Sequence, residues 1–329
     1  MRFFDVCNGD ADGLIARHQF RLSFPVVGTD LTLLTGSKRE TSLLSRVDTS
    51  SNETNSADIS VFDISYDQNA ESARRLLEGG ASIRYFDHHR ATRLQPHSRL
   101  AAHIDASADV CTSLIVDRYL DGAHHAWAIA GAFGDNLIEV AEQLAAKAHM
   151  AAEEALMLRQ LGEYINYNAY GESIRDLRYP PAEIARRMLP YRSPFAFVQC
   201  EDIFVRLQIG FTADLRRARA VQPLYTSSMI AVYLLPDEPW ARRVSGAFAN
   251  LLAGACKARA HAVLSRTTTG TYTVSIRAPQ DNAQHANTVA EAFTNGGGRA
   301  GAAGINNLPD NEIKRLIALL EATYGAGIA

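Results

Sequence analysis

Short apolar segments alternate with helical segments through the first part of this sequence. The segments typical of buried strands are residues 3–7, 31–34, 59–64 and 83–86, and those typical of helices include residues 14–20 and 69–77. Strands that alternate with helices favour a parallel sheet with helices packed on its faces. The sequence therefore predicts an α/β domain built on a parallel sheet.

Polar segments connect these elements. Ser37 and Glu40 match the pattern of a capping box, which predicts that a helix begins at Ser37. Lys38 and Arg39 would lie at the start of this helix, where a solvated helix face is the favoured interpretation and added positive charge near a binding site is the alternative. Residues 48–56 are rich in Ser, Thr and Asn and predict a loop.

The rest of the chain has two further patterns. Residues 113–161 are Ala-rich and largely helical, with an interruption around Asp135. The later elements are apolar runs at 204–209 and 229–235, a helix near 240–257, strands near 262–264 and 272–277, and a helical tail over 312–324. These later elements indicate a second, smaller α/β domain.

The length of 329 residues also favours two domains, because single cores stop growing near about 250–300 residues. We predict a first domain with a helical extension over residues 1–178, a linker over 179–200 and the second domain over 201–329. No apolar run approaches the length of about 18 residues that spans a bilayer, and the amino terminus lacks the pattern of a signal peptide. We therefore expect a cytoplasmic protein that does not bind membranes.

The overall charge excludes one class of partner. The formal net charge is −3 and the pI is about 6.4, so no broad positive field attracts long duplex nucleic acid. The four cysteines, Cys7, Cys111, Cys200 and Cys256, are scattered without metal-ligand spacing, and we interpret them as free thiols. An anionic partner would have to be bound at a local site.

Acidic side chains follow the predicted strands where those strands end. Asp10 and Asp12 stand in a tight loop after the first strand, and Asp63 follows a later one. Ligands of parallel sheets bind beyond the carboxyl ends of the strands, so these positions are candidates for a site. For each residue taken alone, however, a turn or a helix cap is the favoured interpretation.

Asp87, His88 and His89 are harder to explain as a turn. Three adjacent ionisable groups after an apolar strand cost stability unless they bind a metal or a substrate. Asp135 lies among Gly and Ala, where a buried carboxylate would need a cation or several donors. Carboxylates and imidazole without thiolate favour Mn²⁺ or Mg²⁺ over structural zinc. Two ions bridged by a carboxylate, about 3.5–4 Å apart, would activate water for attack on phosphorus.

Taken together and in order, these motifs resemble the DHH phosphoesterases. The motifs that carry the resemblance are Asp10-Ala11-Asp12-Gly13, Asp63 after a strand, Asp87-His88-His89, Asp135 and a terminal glycine cluster. The carboxy-terminal part is similar to the DHH-associated domain in Ser275-Ile276-Arg277, in a helix over 287–293 and in the glycine-rich residues 296–304. The length and the two-domain plan look most like the small members that degrade nanoRNA or dephosphorylate 3′-phosphoadenosine 5′-phosphate.

The resemblance implies roles for particular residues. One Mn²⁺ would be held by Asp12, Asp63, His88 and Asp135. A second would be held by Asp10 together with Asp63, which would bridge the two ions. His89 would contact the phosphate, and Asp87 would orient both histidines. The residues implied to bind the substrate phosphate are His89, Arg277, Gly297, Gly298 and Arg299.

Two positions depart from the family pattern. Many members have a histidine four residues before the first Asp, where this chain has Val6. Valine cannot coordinate a metal, so the second site should bind its ion more weakly than the first. Arg299 stands where the family usually has histidine after three glycines, and arginine can still bind phosphate bidentately.

The sequence therefore predicts a Mn²⁺-dependent phosphoesterase, with Mg²⁺ as an alternative ion, that hydrolyses short oligonucleotides or small nucleotides by metal-activated water. A nucleotide- or phosphate-binding regulatory module with weakened or lost catalysis is the alternative, suggested by Val6 and Arg299. A purely structural protein would leave Asp10, Asp63 and His88 far apart. The family resemblance also allows a homodimer.

Overall fold

The structure is a computed structural model that describes residues 2–26, 28, 31–48 and 57–325. The chain divides into two compact units, Met1–Gln208 and Ile209–Ala329. Apart from Asp48, the predicted loop over residues 48–56 lies outside the described residues. None of the helices that the described residues form combines the length and the apolar composition needed to cross a lipid bilayer.

A five-stranded parallel sheet forms the centre of the first unit. Its strands are β1 (Arg2–Cys7), β2 (Leu31–Thr35), β3 (Ala57–Phe62), β4 (Ser82–Asp87) and β5 (Leu100–Ile104), in the order β2-β1-β3-β4-β5. The predicted α/β class and the parallel sheet are confirmed. The sequence did not reveal β5, because its short segment Leu-Ala-Ala-His-Ile carries little apolar alternation.

Nine helices of the described chain begin in this unit. They are α1 (Ala11–Ser23), α2 (Tyr66–Glu78), α3 (Thr112–Tyr119), α4 (His125–Gly134), α5 (Ile138–Lys147), α6 (Ala152–Ala169), α7 (Pro181–Met188), α8 (Pro194–Cys200) and α9 (Asp202–Arg219). The predicted linker over 179–200 holds α7 and α8 and lies within the first unit. The chain passes into the second unit within α9. The functional division at residues 178 and 200 stays a prediction.

One local prediction was wrong. The helix expected to begin at Ser37 is a turn, in which the Glu40 side chain accepts a hydrogen bond from the Ser37 backbone N–H at 3.4 Å. A short 3-10 helix, Leu43–Arg46, follows instead. The apolar run over 204–209 forms part of α9, where its apolar side chains belong to a long amphipathic helix.

The second unit holds a six-stranded mixed sheet. Its strands are β6 (Tyr225–Thr226), β7 (Ile230–Leu235), β8 (Ala260–Arg266), β9 (Tyr272–Arg277), β10 (Gly296–Gly298) and β11 (Ala302–Leu308), in the order β10-β11-β9-β8-β7-β6. Its helices are α10 (Pro239–Ala255), α11 (Ala286–Glu291) and α12 (Ile313–Tyr324). The strand β7 pairs with β8 in parallel, and the other pairs are antiparallel. The predicted second α/β domain is confirmed.

The strand register aligns the ends of the first sheet. Cys7 pairs with Phe62 across β1 and β3, and Phe62 pairs with Phe86 across β3 and β4. The residues that follow these three strands therefore emerge at one edge. The backbone N–H of Asp63 confirms the alignment by donating to the Phe86 carbonyl at 3.0 Å.

A buried ion cluster joins β1 to α1. The Asp5 side chain is fully buried and accepts hydrogen bonds from Arg17 Nε at 2.7 Å and from Arg21 Nε at 3.0 Å. Both arginine side chains are also almost completely buried. The single carboxylate thus compensates two guanidinium groups, and these contacts fix the orientation of the helix that begins at the sheet edge.

We expect Asp5→Ala to lower the free energy of unfolding by about 3–5 kcal/mol, because it leaves two buried guanidinium groups without their counter-charge. Urea denaturation at neutral pH measures the change. The matched control is Glu78→Ala, which removes an exposed carboxylate paired with Arg74 at 2.9 Å and should change stability by no more than about 0.5 kcal/mol. Equal effects of the two substitutions would contradict the assigned role of Asp5.

Candidate metal centre

Asp10 caps the first helix at the sheet edge. Its Oδ1 atom accepts a hydrogen bond from the Gly13 backbone N–H at 3.0 Å, and the side chain is almost completely buried. Position 13 requires glycine for lack of space, because a Cβ atom there would lie 2.5 Å from the Asn8 carbonyl oxygen. The cap interpretation of the acidic loop is therefore correct for Asp10, and it places this carboxylate at the site.

Asp12 bonds to the start of α3. Its two carboxylate oxygens accept hydrogen bonds from the backbone N–H groups of Thr112 and Ser113, each at 2.7 Å. These N–H groups are unpaired within their own helix, and the helix dipole favours an anion at this end. The hydroxyl of Thr112 then donates to Asp63 Oδ1 at 3.1 Å. One helix end thus links two of the predicted metal ligands.

Asp63 has an unusual backbone. Its φ angle is 58°, in the left-handed region that a non-glycine residue adopts at a cost of about 1–3 kcal/mol. The bend directly follows β3 and brings the carboxylate to the other acidic groups. Asp63 Oδ1 lies 3.3 Å from His88 Nε2.

The ring of His88 is held by the backbone. His88 Nδ1 lies 3.1 Å from the Val110 carbonyl oxygen. Because a carbonyl oxygen can only accept a hydrogen bond, Nδ1 carries the proton and donates it. This leaves Nε2, the nitrogen beside Asp63, as the one that can coordinate a metal. Asp135, which ends α4, has an oxygen 3.9 Å from the same imidazole.

Asp87 and His89 form a pair beside this ring. Asp87 is fully buried, and its Oδ1 atom lies 2.6 Å from His89 Nδ1. Its other oxygen accepts a hydrogen bond from the Tyr66 backbone N–H at 3.3 Å. The family resemblance implies that Asp87 orients both histidines. Asp87 orients His89, whereas the Val110 carbonyl group orients His88. The sequence could not show the role of Val110, because every residue has a backbone carbonyl group.

The predicted ligands come together in the first unit. Among the described residues, Asp63, His88 and His89 offer ligand atoms that all lie within 4.8 Å of one another. The charge of Asp10 acts on Asp63, and Asp135 lies beside His88. This geometry adds His89 to the candidate ligands, whereas the sequence suggested that it contacts phosphate. The assignment of individual ligands to ions stays a prediction.

The electrostatics of this cluster suit a divalent cation. Burial, and then the charges of Asp10 and Asp12, raise the pKa of Asp63 well above its usual value. Burial also raises the pKa of Asp135 to about 6. Burial opposes the charge on His88, but its hydrogen bond to Asp63 and the nearby carboxylates raise its pKa to about 10. These raised pKa values mean that the cluster binds protons that a metal ion must displace when it coordinates the same atoms.

Lys38 contacts the site, contrary to the favoured interpretation of a solvated helix face. It lies in the turn after β2, and its Nζ atom is 2.7 Å from Asp10 Oδ2. Burial would raise the pKa of Asp10, but the Lys38 ammonium and the Gly13 N–H outweigh this and lower it. The one sequence feature related to the contact between Lys38 and Asp10 is Gly9. A Cβ atom at Gly9 would lie only 1.8 Å from the Gly36 carbonyl oxygen, so glycine there lets the turn approach the acidic loop.

Val6 lies in the apolar core. Its side chain is fully buried and belongs to a hydrophobic cluster with Phe4, Val61 and Leu43. The position at which many family members have a histidine therefore contributes packing and no ligand.

The predicted substrate residues lie at one end of the second sheet. Arg299 stands in the turn between β10 and β11, which is closed by hydrogen bonds of 2.9 and 3.2 Å with Ala302. Arg277 ends β9 and pairs with the same Ala302, so both arginines lie at one end of the sheet. Arg277 Nε also donates to Asn250 Oδ1 at 2.6 Å.

The glycine cluster has a packing role that the sequence did not reveal. A Cβ atom at Gly296 would lie 1.8 Å from the Ala290 carbonyl oxygen, and one at Gly298 would lie 2.5 Å from Ala303 Cα. Gly297 differs, because a side chain there would meet open space. Gly297 is half-buried and Gly298 is exposed, so an anion could approach the backbone of either glycine.

Residues 226–326 match the family model of the DHHA1 domain. The carboxy-terminal part of the chain therefore contains a DHHA1 domain, as the sequence predicted. No curated protein matches its sequence.

Solved structures share the fold of this chain. Exonuclease RecJ bound to manganese is 18% identical, with a TM-score of 0.59, and the match covers 99% of this chain and 90% of that one. RecJ from Thermus thermophilus in complex with Mn²⁺ is 18% identical, with a TM-score of 0.61, and the match covers 98% of this chain. This chain spans 52% of the length of that RecJ.

A third similar structure is the DHH domain of a member of a ribosomal-protein family. It is 11% identical, with a TM-score of 0.58, and the match covers 98% of this chain and 86% of that one. At these identities the likeness establishes the fold, and the chemistry must be inferred from the residues of this chain.

We expect Mn²⁺ binding to release protons, because His88 must lose its proton before Nε2 can coordinate. Since the pKa of His88 is raised to about 10, protons compete with the metal throughout the neutral range. The apparent affinity should therefore rise about tenfold per pH unit between pH 6 and pH 8 for each proton released. Calorimetric titration in two buffers of different ionisation enthalpy counts the protons.

In the same titration, His88→Ala should lose at least about 100-fold in Mn²⁺ affinity. His97→Ala is the matched control, because this histidine lies outside the cluster and contacts the backbone of Arg99. Binding without proton release, or unchanged affinity in His88→Ala, would show that His88 is not a ligand.

Proposed function

We propose that this protein is a divalent-metal-dependent phosphoesterase that hydrolyses short oligonucleotides or small nucleotides, with Mn²⁺ as the preferred ion. The observation that carries the proposal is the cluster of the buried Asp63, the half-buried His88 and the exposed His89 beside Asp10 and Asp135. A bound divalent ion would supply Lewis acidity, which polarises the phosphoryl group and lowers the pKa of water. Both RecJ structures described above contain manganese, which supports this choice of metal.

The pair of Asp87 and His89 suits contact with the substrate. Asp87 holds Nδ1 of His89, so Nε2 is the nitrogen that can bond to a phosphoryl oxygen or protonate a leaving oxygen. The His89 side chain is 45% exposed, whereas Asp87 is fully buried. A fixed ring with an accessible nitrogen is the arrangement that this role requires.

The second unit would bind phosphate. The guanidinium group of Arg299 can bond bidentately to phosphate oxygens, and the backbone of the half-buried Gly297 and the exposed Gly298 can add N–H donors. Arg277 lies at the same end of the sheet. A local group of cations, on a chain whose net charge is −3, favours a short substrate over a long duplex. The free thiols of the four cysteines fit the cytoplasmic location that we propose.

The alternative function is a nucleotide- or phosphate-binding module without turnover. The specific observations that favour it are the buried Val6 and the pairing of Asp10 with Lys38, because both weaken a second metal site. Such a module would bind the same ligands and leave them intact, so one experiment separates the two functions.

The test is a substrate panel with saturating Mn²⁺ or Mg²⁺, read by product analysis. The panel contains a dinucleotide, 3′-phosphoadenosine 5′-phosphate and a chromogenic phosphodiester. We expect turnover of at least one substrate with Mn²⁺, and a loss of at least about 100-fold in Asp63→Asn. The exposed Asp109 provides a matched control, Asp109→Asn, which should keep full activity. Binding without turnover of any substrate would favour the alternative function.

We expect Arg299→Lys to raise KM about tenfold with a smaller change in kcat, because lysine keeps the charge but loses the bidentate geometry. Steady-state kinetics on the best substrate of the panel measures both constants. Arg216→Lys, on the exposed surface of α9, is the matched control. If both variants behave like the unaltered protein, Arg299 does not bind the substrate.

A further inference from the structure

The Lys38 ammonium lies among the acidic groups that the family resemblance assigns to the second metal ion. Its Nζ atom is 2.7 Å from Asp10 Oδ2 and 3.4 Å from Asn166 Oδ1, and it lies 5.3 Å from the centre of the Tyr170 ring. Only 26% of the Lys38 side chain is exposed. Lys38 is therefore an enclosed cation that pairs with Asp10, the only carboxylate that the resemblance assigns to the second ion and not to the first.

The fold positions this lysine through its backbone. The Lys38 N–H donates to the Ala169 carbonyl oxygen at the end of α6, at 3.1 Å. On the other side, the turn packs against the acidic loop, because Gly9 has no side chain to separate the loop from the Gly36 carbonyl. Two backbone contacts thus hold the turn in place and fix the point from which the Lys38 side chain reaches Asp10.

The ligands left for a second ion are few. Asp10 Oδ1 is bonded to the Gly13 N–H, and Asp10 Oδ2 is bonded to Lys38. Val6 supplies no ligand, since it is buried in the core. A second divalent ion at Asp10 would also have to approach an ammonium group within a few ångströms, where like charges repel strongly at low dielectric.

We propose that Lys38 replaces the second metal ion, so that the centre binds one divalent ion near Asp63 and His88 and keeps a built-in monovalent cation at Asp10. The inference rests on the proposed function of the site. The four carboxylates of Asp10, Asp12, Asp63 and Asp135 carry four negative charges, of which one divalent ion and one ammonium neutralise three. A lysine here can also bind a phosphoryl oxygen as a point charge, as a second ion would.

The test counts the ions bound to the full-length protein. Calorimetric titration and elemental analysis give the Mn²⁺ stoichiometry, and electron paramagnetic resonance distinguishes an isolated Mn²⁺ ion from a spin-coupled pair. The unaltered protein should bind one ion per chain and give the six-line signal of an isolated ion. Two ions per chain with a coupled signal would overturn the proposal.

Substitutions at Lys38 make the test specific. Lys38→Met removes the charge at similar length, and Lys38→Asp adds a ligand in its place. Each should bind a second ion at least about tenfold more tightly than the unaltered protein, with a coupled signal in Lys38→Asp. The matched controls are Lys38→Arg, which keeps the charge, and Arg39→Ala, which removes the neighbouring cation beside Glu172. Both controls should stay at one ion per chain.

If the folded Met and Asp variants also bind only one ion, the ammonium is not what excludes the second, and the proposal fails. If a substitution prevents folding, the stoichiometry and the signal of the unaltered protein still decide. The ion count is independent of turnover. A protein that behaves as expected here but hydrolyses no substrate contradicts only the proposed function, whereas an active protein with two coupled ions contradicts only the role of Lys38.

Discussion

The bond between the Asp12 carboxylate and the first N–H groups of α3 is the interaction on which the site depends. It joins residues 100 positions apart in the chain, at 2.7 Å, and gives a buried anion the donors that it needs. Because Thr112 also donates to Asp63, the same helix end fixes a second carboxylate. The acidic loop after β1 and the bend after β3 are thereby held against one another.

Charge compensation explains the rest of the centre. Four buried carboxylates here each have a specific partner: Asp5 has two arginines, Asp12 a helix end, Asp10 a lysine and Asp87 a histidine. Asp63 and Asp135 instead have raised pKa values, because burial and the neighbouring carboxylates outweigh the cations nearby. These two least compensated carboxylates lie beside His88, where a divalent ion would be bound most favourably.

Much of this arrangement could be predicted from the sequence. Strands that alternate with helices predicted a parallel sheet, and acidic residues after the strands predicted a polar edge. The motifs around Asp10, Asp63 and His88 predicted which residues meet there. The capping-box pattern at Ser37 failed because the turn is held by longer-range contacts of Lys38 and Gly36. The apolar run over 204–209 could not be assigned to a strand or a helix from the sequence, because a short apolar run fits a strand and a buried helix face equally well.

The sequence by itself determined the class of fold, the order of the acidic motifs and the loss of a histidine at Val6, because periodicity and residue chemistry are local properties. Only the tertiary structure decided what compensates for that loss. The partner of Asp10 is a lysine on a different loop, 28 positions away, and it arrives there because two glycine backbones pack closely together. Such a contact depends on the reach of one side chain across the fold, which no local pattern of residues records.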